Sequence, residues 1–131
     1  MTATILIVED DGRCMDSLRE ILGDAGYPVS SAENGMRALE VIAALGATPA
    51  LILLDMAMPV MDGLAFLSQI RNHAQLAGVP VIAMSADAAA KQLCAKSANV
   101  REVLSKPIDV SRMIELVRKH IGQPLSPYGQ P

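Results

Sequence analysis
With 131 residues, 51% of them hydrophobic, the chain is the size of one domain able to bury a core without metal or disulfide staples. Aromatic residues make up only 2%, which leaves no stacking platform for bases or sugars, and a net charge of -3 with scattered Lys and Arg offers nucleic acid no electrostatic footprint. Cys14 and Cys94 lack C-x-x-C spacing, so reduced, partly buried thiols are expected rather than zinc or dithiol chemistry. No basic and apolar leader follows Met1, and no apolar run approaches the roughly 18 residues of a membrane span. A soluble, cytoplasmic protein with no membrane contact is the expectation.

Five apolar runs of strand length alternate with helical stretches. "TILIV" (4–8) is followed by a stretch from Asp11 to Ala25 that sets Cys14, Leu18, Ile21, Leu22 and Ala25 on one helical face, with Gly26 as its stop. A weak strand "PVSSA" (28–32) precedes a helix capped by Asn34, with Leu39, Ile42 and Leu45 inward and Gly46 at its end. "ALILL" (50–54) precedes a helix capped by Asp62 that carries Leu64, Leu67 and Ile70 inward. "VPVIAM" (79–84) leads to an Ala-rich, weakly patterned helix over 86–98, and "REVLS" (101–105) leads to a last helix capped by Asp109, with Ile114, Val117 and Ile121. Strict alternation with near-continuous apolar strands predicts a doubly wound α/β fold, a parallel sheet with helices on both faces and right-handed crossovers. Residues 1–121 form the expected domain, and "GQPLSPYGQP" (122–131), with three prolines and no periodicity, reads as a flexible Pro-rich tail or the start of a linker.

"LILLDMAMPVMDG" (51–63) sets Asp55 directly behind four aliphatic residues. A carboxylate at the end of a buried strand is costly unless it has partners, which makes it a functional hint. In a doubly wound sheet, function gathers beyond the carboxyl ends of the strands. Glu9 and Asp10 follow strand one, Asp55 strand three, Ser85 strand four and Lys106 strand five. Three carboxylates brought together raise one another's pKa values unless a cation sits among them. Mg²⁺ suits an all-oxygen cluster, and Lys106 could meet the charge of a phosphate. The set holds no His or Cys, so zinc chemistry and Ser-His triads lack support.

Each of these residues has a plainer reading when taken alone. Glu9 and Asp10 could favour a helix N-terminus, Asp55 could cap a turn, Lys106 could be solvated, and Ser85 could bond local backbone. Only their joint placement overturns that. Asp62 and Gly63 are read as a helix start, His73 and His120 as surface residues away from the crevice, and Met56, Met58, Met61 and Met84 as packing rather than metal ligands.

"ILIVEDD", "DMAMPVMDG", "MSA" and "SKP", in this order and at this spacing, resemble the receiver domains of two-component response regulators over about residues 3 to 121. The resemblance implies the flavodoxin-like, doubly wound (βα)5 three-layer sandwich with parallel sheet order 2-1-3-4-5. It implies that Asp55 is the phosphoacceptor, attacking a phosphohistidine on a sensor histidine kinase or phosphotransfer protein. Asp10, Asp55 and the backbone carbonyl of Ala57 would bind Mg²⁺, for which Mn²⁺ could substitute, and Glu9 would act mainly through a coordinated water. Lys106 would contact the phosphoryl oxygens, Pro107 would follow a cis peptide bond, and the Ser85 hydroxyl would bond the phosphoryl group after transfer. The implied output is a changed surface that controls a downstream protein, with homodimerisation through helix four, strand five and helix five.

Two positions depart from the family's pattern: Val103 stands where many receivers carry Tyr or Phe, and Asn99 replaces the usual Gly ahead of strand five. The implied protein is a signalling module, not an enzyme acting on a separate substrate. The rival is a Mg²⁺-dependent phosphohydrolase, but enzymes of the haloacid-dehalogenase type typically put the nucleophile after strand one in a D-x-D pattern with a cap domain, and this chain has neither. A phosphorelay intermediate and a receiver fragment of a larger hybrid protein stay open. A receiver-like scaffold working without phosphorylation has less support, since the phosphorylation set is complete.

Overall fold
Unbroken aliphatic strands have to be covered on both faces, and helices are the elements that cover them. The structure, a computed structural model, describes residues 4–58 and 61–123. In chain order these form β1 (Ile5–Val8), α1 (Gly12–Asp24), β2 (Val29–Ala32), α2 (Gly35–Leu45), β3 (Leu51–Asp55), α3 (Gly63–Arg71), β4 (Val81–Ser85), α4 (Ala88–Cys94), β5 (Val100–Ser105) and α5 (Val110–Ile121). All four strand pairings are parallel, in the order β2-β1-β3-β4-β5, which is the expected flavodoxin-like arrangement.

The period of two along each strand divides the core into two layers. Ile5, Ile7, Leu51, Leu53, Ile82 and Met84 pack against Leu18 and Leu22 of α1 and Leu116 and Val117 of α5. Leu6, Val8, Ile52, Leu54, Val81 and Ala83 pack against Phe66, Leu67 and Ile70 of α3 and Cys94 of α4. Truncating one of the large aliphatic residues among them to Ala should cost about 2–5 kcal/mol. β2 is an edge strand of half-buried residues, which explains its weak apolar signal.

Asn34, Asp62 and Asp109 cap their helices as expected, each side chain accepting a backbone N–H of the first turn, and Gly46 ends α2 in the left-handed conformation at φ 69°. Asp11 and Asp87 are further N-caps that the sequence did not disclose. β3 runs one residue further than expected, through Asp55, and β4 begins at Val81 rather than 79. The helix expected over 86–98 is only Ala88–Cys94, because the N–H groups of Lys96 and Ser97 turn back to the carbonyls of Leu93 and Cys94, three residues earlier. Leu64, expected inward, is 40% exposed, since the stripe of Gly63, Phe66, Leu67 and Ile70 takes the inward face and leaves Leu64 on its flank. Cys14 is half-buried as expected, whereas Cys94 is wholly buried.

Asn99 is buried, and its Nδ2 donates to the Ala77 carbonyl at 2.7 Å and to those of Leu76 and Val79 at 3.3 Å. The Asn99 side chain thus ties the loop ahead of β4 to the start of β5. No described helix is long and apolar enough to cross a membrane. Of the stretch read as a tail, residues 124–131 lie outside the described residues.

Candidate functional site
The four strand ends converge as the sequence implied. β1 delivers Glu9 and Asp10 just past Val8, β3 ends on Asp55, β4 ends on Ser85, and Lys106 directly follows β5. Backbone stitches hold these ends together: the Met56 N–H donates to the Met84 carbonyl and the Lys106 N–H to the Ser85 carbonyl, both at 3.0 Å. The Lys106–Pro107 peptide is cis, as expected.

Asp55 is 3% exposed and Glu9 equally buried, while Asp10 stands at the rim. One carboxylate oxygen from each of the three lies within 4.8 Å of the others. Against them stands Lys106, whose Nζ is 3.0 Å from Glu9 Oε2 and 3.5 Å from Asp55 Oδ1. Two unit charges at such a separation repel by on the order of 3 kcal/mol at an effective dielectric of 20, less where Asp10 meets solvent. One amine cannot offset three carboxylates.

The titration behaviour follows from this imbalance. Burial raises the Asp55 carboxyl above its ordinary 3.8 and the charge of Glu9 adds to that, while the Ala57 N–H, donating to Oδ1 at 3.1 Å, and Lys106 act the other way. Partial burial also raises Asp10, helped by its hydrogen bond with Asp55 and by the charge on Asp55. For Lys106, burial opposes the charge, but the hydrogen bond to Glu9 and the charges of Asp55 and Glu9 outweigh it and raise its pKa above 10.5. The arrangement has the donor set for a hard divalent cation: oxygen ligands, crowded and under-neutralised.

Ser85 is buried and its hydroxyl turns to its own loop, accepting from the Asp87 N–H at 3.0 Å and donating to the Asp87 carbonyl at 3.3 Å. Asp87 is in turn the N-cap of α4, its carboxylate accepting from the Ala89 N–H at 2.9 Å. Val103 is half-buried, paired in register with Ala83 and packed on the α4 side of the core. Asp62 and Gly63 have the structural roles assigned to them. Asp62 caps α3, and Gly63 sits where an added Cβ would lie 2.8 Å from the Met56 Cα, so only glycine lets α3 start this close to the loop after Asp55. Met56 and Met58 belong to the core layer on the α3 side, with Met61 packed against it, and Met84 belongs to the opposite layer. Burial pushes the Cys14 thiol up to about 11, so it is no nucleophile at neutral pH.

One assignment needs correction. His73 is exposed, but His120 is only 17% exposed, its Nε2 lying 3.0 Å from Glu102 Oε2, which Lys119 also contacts at 2.9 Å. α5 packs across β5 there, and no local spacing announces a pair 18 residues apart. The Glu9–Lys106 pair is likewise absent from any local pattern, 97 positions separating its members.

The response regulator receiver domain family matches residues 5–118. The polar-differentiation response regulator DivK of Brucella ovis is 31% identical over 123 residues, which cover 93% of this chain and 98% of the relative. Among solved structures, the chemotaxis protein CheY4 of Vibrio cholerae superposes with a TM-score of 0.81 at 26% identity, covering 92% of this chain and 99% of that one. The receiver domain of a Pseudomonas aeruginosa sensor histidine kinase, solved with a magnesium ion coordinated in its active site cleft, superposes with a TM-score of 0.80 at 26% identity, covering 94% and 100%.

Proposed function
The chain belongs to the response regulator receiver domain family, and from that premise we propose that it accepts a phosphoryl group on Asp55 in two-component signalling. The observation that carries the reading is a buried Asp55 set among Glu9, Asp10 and Lys106. An Asp55 oxygen attacks the phosphorus of a phosphohistidine on a sensor histidine kinase or phosphotransfer protein, and the new O–P bond forms as the N–P bond breaks. The histidine nitrogen leaves with the bonding pair.

A rigid strand end holds the attacking carboxylate in line, and positioning supplies much of the rate. Lys106 moves from Glu9 to a phosphoryl oxygen, a cation exchanging one anion for another. Bound by Asp10, Asp55 and the Ala57 carbonyl, with Glu9 acting through a water, Mg²⁺ or Mn²⁺ would neutralise charge on the transferring oxygens. The magnesium in the Pseudomonas receiver and the three-acid cluster support that assignment. Residues 1–121 act as the receiver, in the cytoplasm, as a switch for a downstream protein and not as an enzyme with a separate substrate. Helix α4, strand β5 and helix α5 form the surface for a homodimer.

Incubation with acetyl phosphate and Mg²⁺ should add the mass of one phosphoryl group, and Asp55→Asn should accept none, as read by intact-mass spectrometry. Equal labelling of the variant would remove the proposal.

The switch runs through Ser85. When its hydroxyl turns its one proton to the phosphoryl group it gives up the Asp87 carbonyl, and so pulls on the backbone of the residue that caps α4. Val103 has only a stiff χ1 torsion and cannot swing as a ring does. NMR of the beryllofluoride-bound protein should therefore show its largest remote shifts between residues 86 and 98. Ser85→Ala should shrink those shifts while Asp55 still accepts phosphate. Shifts centred on Val103 that survive Ser85→Ala would sink this route.

A further inference from the structure
Between α3 and α4 lies a groove that the phosphorylation chemistry does not use. Its walls are two helical stripes, Leu64, Leu67 and Arg71 on α3, and Leu93, Lys96 and Ser97 at and just beyond the end of α4. Leu64 and Leu93 are 40% and 52% exposed. The cavity is 140 Å³, well below the roughly 300 Å³ at which small-molecule pockets begin, so it suits one anchoring side chain rather than a small ligand.

The groove itself is basic, with Arg71 and Lys96 on its walls in a chain whose net charge is -3. Asp87 is occupied in capping α4, and no acidic side chain lines the groove. Among the described residues neither Arg71 nor Lys96 forms an ion pair. A cation near a helix C-terminus complements the dipole, which accounts for Arg71 and Lys96 taken singly. It does not account for two open leucines in the same groove.

Both helices start at the carboxyl end of the sheet, after β3 and β4. Leu64 therefore marks the end of the groove toward the phosphoacceptor, and Arg71, Lys96 and Ser97 mark the far end. The geometry points to a docking surface for an acidic, amphipathic helix of a partner protein. One aliphatic side chain of that helix lies between Leu64 and Leu93, and its carboxylates meet Arg71 and Lys96. Helical walls with side-chain stripes and no unpaired sheet edge accept a helix rather than an added strand. This surface goes beyond the phosphoacceptor reading and belongs to the unphosphorylated protein.

The test is a display selection of short helical peptides on the wild-type chain, with counter-selection against an Arg71→Glu, Lys96→Glu double variant. The peptides recovered are then followed by NMR on the labelled protein. Winners should pair an aliphatic anchor with two or more Asp or Glu. Their shifts should cover residues 64–71 and 93–97, their binding should weaken in high salt, and Leu64→Asp should reduce affinity roughly tenfold or more. No enrichment, winners without acidic residues, or shifts centred on β5 and α5 would each overturn the inference. Acetyl phosphate labelling of the same variants should match wild type, which checks that they fold. If wild type itself failed to label while the peptides still bound, the phosphoacceptor reading would fall and the groove would stand.

Discussion

At the carboxyl end of the sheet Glu9, Asp10 and Asp55 crowd around the one amine of Lys106, whereas at the amino end Asn99 and Tyr27 join distant segments through matched hydrogen bonds. The Asn99 amide holds the carbonyls of the loop ahead of β4, and the Tyr27 hydroxyl donates to the Gly122 carbonyl at 2.7 Å. Both ends bury polar atoms. At the amino end the Asn99 amide and the Tyr27 hydroxyl each meet an acceptor and stabilise the fold; at the carboxyl end like charges are left under-matched, which destabilises the unliganded protein.

Asn99→Ala breaks this comparison most forcefully. It leaves the Ala77 carbonyl without its partner and should cost about 2 kcal/mol, roughly 5–10 °C in melting temperature for a domain of this size. A thermal melt measures it, and an unchanged midpoint would mean that the amino end does not depend on the amide.

Asp10→Asn should act in the opposite direction. Without metal it removes one of three repelling charges and should melt a few degrees higher than wild type, by about 1 kcal/mol. Mg²⁺ should raise the wild-type midpoint by mass action and lose that effect in the variant. A lower midpoint for the metal-free variant would refute the picture of a strained acid cluster.

The pH dependence sharpens the same contrast. The carboxyls of Asp55 and Asp10 titrate above 3.8 in the fold, so the folded state keeps protons that the unfolded chain has released. Their cost is absent near pH 3.8, grows as pH rises through the folded values and is complete above them. The advantage of metal-free Asp10→Asn over wild type should therefore vanish toward pH 4 and widen upward from there. Lys106, raised above 10.5, loses its contribution only at strongly alkaline pH and does not disturb this window.

Glu102 should show the smallest effect and the reverse slope. Hydrogen bonds from His120 and Lys119 lower its pKa below 4.5, so its contribution is present above 4.5 and fades as pH falls through the folded value. Lys119 is 64% exposed, which screens the pair, and Glu102→Gln should cost about 0.5–1 kcal/mol at neutral pH by chemical denaturation. A larger loss would mean that the largely buried Glu102–His120 contact carries more of α5's attachment than the exposed Lys119 pair does.

The amino-acid sequence by itself determined the alternation of elements, the sheet order through its resemblance to receivers, the helix caps at Asn34, Asp62 and Asp109, and the gathering of Glu9, Asp10, Asp55, Ser85 and Lys106 at the strand ends. Periodicity, capping and strand polarity are local, so they are legible in a linear string. Tertiary structure decided which of those groups pair. Lys106 rests on Glu9, 97 positions away, Ser85 bonds the backbone of Asp87, the N-cap of α4, and His120 is drawn in against Glu102. It also decided that Asn99 would serve as a staple, that Leu64 would lie on the flank of its helix, and that Arg71 and Lys96, 25 positions apart, would share one groove. Such contacts depend on how helices pack across the sheet, and packing is set by the summed shape of many side chains, which no local pattern encodes.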